Sequence, residues 1–172
     1  MTFEETPLSG CWIIQPKVHS DERGFFIENF KMEVFQNNIG AVSFIQENQV
    51  QSNHGVIRGM HFQENPYAQS KLIRVVQGEI IDIVVDLRKD SSTYQKSFRV
   101  VLSAENKKQL FVPKGFAHGY ATTSKSSIVI YKVDASYQKE AEAGISPLDS
   151  FYQFDWGIAL EDQKINDRDL NW

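Results

Sequence analysis

The sequence predicts an all-β domain, a sandwich or barrel with short peripheral helices, and three observations carry that expectation. Most of the chain is a series of runs rich in β-branched and aromatic residues. Turn chemistry recurs between the runs at short, fairly regular spacing, and helical periodicity is scarce. In order, the predicted strands are Cys11–Gln15, Gly24–Glu28, Ala41–Val50, Val56–Phe62, Lys71–Val76, Glu79–Leu87, Ser97–Leu102, Lys108–Val112, His118–Ala121 and Ser127–Val133. Between them lie Asp21-Glu22-Arg23-Gly24, Asn53-His54-Gly55, Gln77-Gly78, Lys89-Asp90-Ser91-Ser92 and Pro113-Lys114-Gly115, whose residues favour turns. One helix is expected over Lys31–Asn38, closed by Gly40, and a short turn near the C-terminal end.

Length and composition bound the function. At 172 residues, with no repeat, low-complexity stretch or Pro/Gly/Ser-rich linker, the chain reads as one domain over 1–172. Hydrophobic residues make up 41% and charged residues 23%, a globular balance rather than a disordered one. A net charge of −4 argues against general nucleic-acid binding, yet leaves room for a local basic pocket for an anionic small molecule. Cys11 is the single cysteine, so no intrachain disulfide can form. The opening MTFEETPLSG lacks the basic start and apolar run of a signal peptide. The longest apolar run, Ile80–Leu87, is short and broken by Asp82 and Asp86. The expectation is a cytoplasmic protein without membrane or nucleic-acid partners.

Few residues are placed to do chemistry. His19 and His54 fall at loops and read as surface residues. His61 lies in Gly55-Val56-Ile57-Arg58-Gly59-Met60-His61-Phe62-Gln63, where strict alternation puts Ile57, Gly59 and His61 on one face. His118 ends a Pro-Lys-Gly-Phe-Ala-His run, and the glycines beside both histidines leave room for a ligand to approach the backbone. A metal site would need His61, His118 and a carboxylate such as Glu64 to converge. Gln63 occupies the place where a second histidine would complete His-x-His, so a metal-free site is the expectation. Neither a Gly-x-Ser-x-Gly elbow nor a phosphate-binding Gly-Lys-Ser/Thr loop is present, and Cys11 has no base beside it. Acid–base chemistry remains, with His61 suited to accept a proton near neutrality. Tyr131, on an apolar run, reads by itself as a core aromatic.

Lys71 adds a local argument. A two-residue hairpin loop at Gln77-Gly78 would set Lys71 opposite Val84 and Ile73 opposite Asp82. Lys71 would then lie among Ile and Val, with Asp82 and Asp86 in diagonal reach. Such a lysine is either an ion pair inside a barrel mouth or a functional cation, and the pattern leaves both open.

The motifs become specific when taken together. Asp21-Glu22-Arg23-Gly24-Phe25-Phe26, the Gly55–Gln63 stretch, Lys71–Glu79, Leu102–Asn106, Pro113–Gly119 and Tyr131-Lys132-Val133 resemble, in order and spacing, the dTDP-4-dehydrorhamnose 3,5-epimerase family. The resemblance implies a cupin jelly-roll β-barrel, a homodimer exchanging N-terminal strands, and a dTDP-4-keto-6-deoxyhexose substrate, with no cofactor. It also implies roles. His61 matches the general base, Lys71 the cation that stabilises an enolate, and Tyr131 the acid that returns a proton to the opposite ring face. Asp169, or Asp167 if the loosely matching tail is shifted, matches the carboxylate that orients the histidine. Arg58 and His118 match residues at the sugar end, and Arg23, Phe26, Glu28, Gln46 and Asn48 match residues gripping the nucleotide and diphosphate. Tyr137 matches a second pocket aromatic. Two departures stand out: Asn48-Gln49-Val50 where the family carries Asn-His-Ser, and Ser146-Pro147-Leu148 where it carries an aromatic. Relatives that invert only C3 or only C5 make a single-carbon epimerase the alternative, with a non-catalytic sugar-nucleotide-binding cupin behind it.

Overall fold

The computed structural model describes residues 1–172, and the β-branched runs become strands because their inward-facing residues pack between two sheets, with Ile80–Asp86, Gln109–Val112 and Phe116–Thr122 covered on both faces. One sheet contains, in spatial order, β1 (Thr2–Glu5), β2 (Trp12–Gln15), β10 (Gln109–Val112), β7 (Lys71–Gln77), β12 (Ser126–Val133) and β5 (Gln46–Asn53). The facing sheet contains β13 (Glu142–Gly144), β6 (Ile57–Gln63), β11 (Phe116–Thr122), β8 (Glu79–Asp86) and β9 (Ser97–Ser103). A separate hairpin pairs β3 (Val18–Asp21) with β4 (Gly24–Ile27). All strand pairs are antiparallel, and the two sheets pack as a jelly-roll sandwich of the cupin-like kind. Helix is confined to α1 (Met32–Asn38), α2 (Asp167–Leu170) and two single turns.

Three apolar clusters explain the layering. Ile73, Val75, Ile80, Val84, Leu110 and Val129, with others, fill the space between the sheets. Ile81, Ile83 and Val85, the alternate residues of β8, pack outward with Ile57, Met60 and Trp156 under the segment that follows β13. Burial on both faces is why Ile80–Asp86 carries apolar residues at both parities, interrupted only by the buried Asp82 and Asp86. On the outer face of the larger sheet, Phe35 of α1 packs on Ile14, Leu72 and Phe111.

Some expectations are corrected here. Residues 41–45 are not strand: Phe44 instead joins Phe30 and Phe35 in an aromatic cluster under α1. β1, β3 and β13 were not foreseen, because they are short edge elements without an apolar alternation.

The Gln77-Gly78 hairpin does not exist. β7 pairs with β10 and β12, while β8 pairs with β11 and β9, so the turn carries the chain from one sheet to the other. Gly78 takes φ +73 there, and a side chain on it would run into the Ser126 carbonyl. Lys71 is therefore flanked by Val112 and Val133, not by Val84. Asp82 lies on the opposing sheet, close enough to support the lysine's charge, whereas Asp86 is taken up by Arg88, Ser91 and Thr93.

Candidate active site

A cavity of about 460 Å³ lies between the sheets and gathers most of the candidate residues, a size that suits a small organic ligand. β5, β7 and β12 supply one wall, and β6, β11 and β13 the other. His61 enters from β6 and Tyr131 from β12, so the two face the same space from opposing sheets.

His61 reaches the cavity through a break in alternation. On β11, His118 pairs with His61 and Tyr120 pairs with Arg58, so three steps on β6 match two on β11. This bulge puts Arg58 and His61, which differ in parity, on the same inner face, while Ile57 and Met60 point outward. The glycines at this point serve backbone contact rather than ligand approach. A side chain on Gly59 would lie 2.4 Å from the Gly119 Cα, and one on Gly119 would strike Met60 and the Arg58 carbonyl.

The imidazole is oriented by Asp169. His61 Nε2 lies 2.8 Å from Asp169 Oδ1, and the fully buried carboxylate also accepts the Gly59 amide on Oδ2 at 3.1 Å. The α2 N-terminus holds that aspartate, whose own amide donates to the Asn166 side chain at 2.7 Å. Asp167 is exposed, so Asp169 is the carboxylate that meets His61. A carboxylate only accepts, which puts the proton on Nε2 and leaves the lone pair on Nδ1. Burial pushes the His61 pKa below the ordinary histidine value. Asp169 opposes that shift, while Lys71 and Arg168 add to it.

Lys71 is desolvated by the same cavity and its pKa falls to about 8, with Asp82 and Glu142 supporting the charged form. It therefore remains a cation near neutrality. Tyr131 sits beside Asn48, its cross-strand partner, and burial raises its hydroxyl pKa, which keeps it protonated. His118 Nε2 is 3.0 Å from the buried Asp82 Oδ2, and Arg58 Nε donates to Ser52 Oγ at 3.0 Å. Gln46, Asn48 and Tyr137 also line the cavity.

Three residues predicted for the nucleotide do not. Arg23 and Phe26 lie on the β3–β4 hairpin and Glu28 just past it. The Arg23 side chain is 86% exposed and paired with Asp21, Phe26 is 68% exposed, and Glu28 is exposed too. Conversely, sequence reasoning missed Glu142 and Arg168, which join the cavity to the His61 dyad. Arg168 Nη1 donates to Glu142 Oε2 at 3.0 Å, and Nη2 stands 3.4 Å from His61 Nε2. The one available signal was that Arg168 adjoins Asp169. Glu142 comes from an edge strand with no pattern of its own. Glu64, required for the metal arrangement, is exposed, and no three His, Cys, Asp or Glu side chains converge.

Comparison with known proteins agrees with the geometry. A family model described as dTDP-4-dehydrorhamnose 3,5-epimerase matches residues 5–172. A protein of that description from Methanothermobacter thermautotrophicus is 45% identical over 172 residues, covering 99% of this chain and 92% of the relative. The crystal structure of a dTDP-4-dehydrorhamnose 3,5-epimerase from Elizabethkingia anophelis superposes with a TM-score of 0.96 at 41% identity, covering 99% of this chain and 94% of the other. A 3,5-epimerase from Legionella pneumophila, solved in complex with dTDP-4-keto-L-rhamnose, superposes with a TM-score of 0.93 at 37% identity, covering 98% and 89%.

Proposed function

The chain belongs to the dTDP-4-dehydrorhamnose 3,5-epimerase family and is a carbohydrate epimerase, and we propose that it inverts a dTDP-4-keto-6-deoxyhexose at both C3 and C5. The observation that carries this reading is the opposition of His61 and Tyr131 across one cavity, with the Lys71 cation between the same walls. Inversion requires a base on one face of the sugar ring and an acid on the other, which two opposing sheets supply.

The neutral His61 takes the proton from the carbon beside the C4 ketone. The electron pair moves to the ketone oxygen, and the Lys71 ammonium stabilises the resulting enolate. Tyr131 then delivers its hydroxyl proton to the opposite face of that carbon and regains one from solvent, to which the His61 imidazolium gives up the proton it took. Repetition at the second carbon completes the double inversion. Each step moves only a proton, so the reaction asks for no cofactor. Asp169 acts through His61 by fixing its tautomer and supporting the imidazolium that forms. His118 and Arg58 take the sugar end, while Gln46, Asn48 and Tyr137 take the nucleotide end. The exposed Arg23, Phe26 and Glu28 fit a homodimer in which this hairpin reaches the partner's cavity, in a cytoplasmic enzyme.

A second reading, inversion of a single carbon, draws on one observation: Val50, where the family carries serine, lines the cavity opposite Val129. Proton NMR in heavy water with dTDP-4-keto-6-deoxyglucose separates the two. Deuterium entering at both C3 and C5 supports the first and at one carbon the second. No entry at all would leave a non-catalytic sugar-nucleotide-binding protein.

A further inference from the structure

Gln63 is a cavity-wall side chain that ties the loop carrying Tyr137 to the β6–β7 connection. It ends β6, two residues beyond His61, and is 6% exposed. Its Nε2 donates to the Tyr67 carbonyl at 2.7 Å and to the Ser136 carbonyl at 3.2 Å, and its Oε1 accepts the Gln138 amide at 2.6 Å. The amide thus grips the residues immediately before and after Tyr137. Tyr137 itself is 51% exposed, lines the cavity, and is held at its far end by its hydroxyl, which donates to Glu142 Oε2 at 2.8 Å. Gln69 Nε2 adds a bond to the Ala135 carbonyl at 2.7 Å in the same loop.

From this geometry we propose that Gln63 is a positioning residue for ligand binding, acting through Tyr137. An exposed tyrosine on a loop loses conformational freedom when it closes on a ligand. Gln63 removes much of that cost in advance, because a backbone clamped on both sides leaves the ring little but its side-chain rotation. The amide is suited to this task where a histidine or a carboxylate is not. The site presents two carbonyls and one N–H, so it asks for two donors and an acceptor on one planar group. This rests on the reading that the cavity takes a dTDP-linked sugar.

The test is a double-mutant cycle read with dTDP by calorimetry and with the 4-keto sugar nucleotide by NMR exchange. Gln63→Met keeps the length of the side chain and removes all three bonds. Gln63→Glu keeps the acceptor and turns oxygen toward both carbonyls. Both should raise the Kd for dTDP about five- to ten-fold while turnover at saturating substrate stays within about two-fold. In a Tyr137→Ala background neither should raise the Kd further. In both single variants hydrogen exchange should accelerate in the loop around Tyr137. An unchanged Kd, an effect that adds fully to that of Tyr137→Ala, or a loss of turnover with dTDP binding intact would overturn the proposal. So would collapse of the fold in both variants, which would make Gln63 a determinant of the fold. Failure of the wild-type protein to bind dTDP would overturn the nucleotide reading along with it, whereas normal binding insensitive to Gln63 would overturn the clamp alone.

Discussion

Replacing Asp169 with asparagine tests the dyad most directly, because the size of the effect follows from two hydrogen bonds. The carboxylate accepts two N–H groups, from His61 Nε2 at 2.8 Å and from the buried Gly59 amide at 3.1 Å; a third donor, Arg168 Nε at 3.4 Å, is half exposed and can turn to water instead. An asparagine has one accepting oxygen, so it can satisfy only one of the first two. If that oxygen faces His61, its NH2 confronts the Gly59 N–H, and an unsatisfied buried donor costs about 1–3 kcal/mol. If it faces Gly59, the NH2 donates to Nε2, the imidazole proton moves to Nδ1, and the base loses its lone pair. The second arrangement is favoured, since an imidazole changes tautomer more cheaply than a backbone amide goes unpaired. Reaching the productive tautomer therefore costs about 1–3 kcal/mol, and losing the anionic partner of the forming imidazolium adds about 1.5–3 kcal/mol. Together these correspond to a loss of roughly 10²–10⁴ in kcat/KM. The assay is deuterium entry from solvent into the 4-keto sugar nucleotide, with urea denaturation to confirm the fold. A well-folded Asp169→Asn variant within ten-fold of wild type would refute the tautomer argument.

The remaining expectations concern protons and charge. kcat/KM should be bell-shaped in pH: the depressed His61 pKa keeps the base neutral to below the ordinary histidine value of about 6.5, and the Lys71 cation is lost as pH rises through about 8. Lys71→Arg should shift the alkaline limb upward in whatever activity remains, and an unmoved limb would dissociate it from Lys71. His61→Ala should abolish exchange at both carbons, whereas Tyr131→Phe should retain proton abstraction and impair inversion. Full-rate inversion by Tyr131→Phe would remove Tyr131 from the acid's role. Away from the cavity, Asp86→Asn should cost about 3 kcal/mol in urea denaturation at neutral pH, because Arg88, Ser91 and Thr93 lose a buried anionic partner. Hydrogen bonds outweigh burial and hold the Asp86 carboxyl below the usual carboxylate range. Its contribution is therefore present above the unfolded value near 3.9 and lost as pH falls through the folded one. A neutral-pH stability within 0.5 kcal/mol of wild type would count against the Asp86 cluster.

Local pattern carried the fold class a long way. Alternation and turn residues located ten strands, most to within one or two residues, because side-chain period and turn geometry are properties of adjacent residues. Which strands pair is not such a property. The Gln77-Gly78 turn has the residues of a hairpin, yet β7 and β8 each pair elsewhere, since both faces of β8 must be covered and a sandwich provides that. The even-numbered residues of β8 still point inward, so Asp82 comes near Lys71 from the opposite wall instead of the neighbouring strand.

By itself the local pattern of the sequence determined the strand runs, the turn sites and His61 as a candidate base, while Lys71 stayed open and Tyr131 read as a core aromatic until the motifs gave them roles. Those motifs also pointed to the family. Tertiary structure alone decided that these three share one cavity, that Asp169 rather than Asp167 meets His61, and that Glu142, Arg168 and Gln63 belong beside them. It also decided that Arg23, Phe26 and Glu28 lie away from the chain's own cavity. The reason is distance along the chain. Asp169 reaches a residue 108 positions earlier, and the parity of His61 is set by a bulge opposite β11. Contacts of that span depend on how two sheets close over one core, and no window of adjacent residues records it.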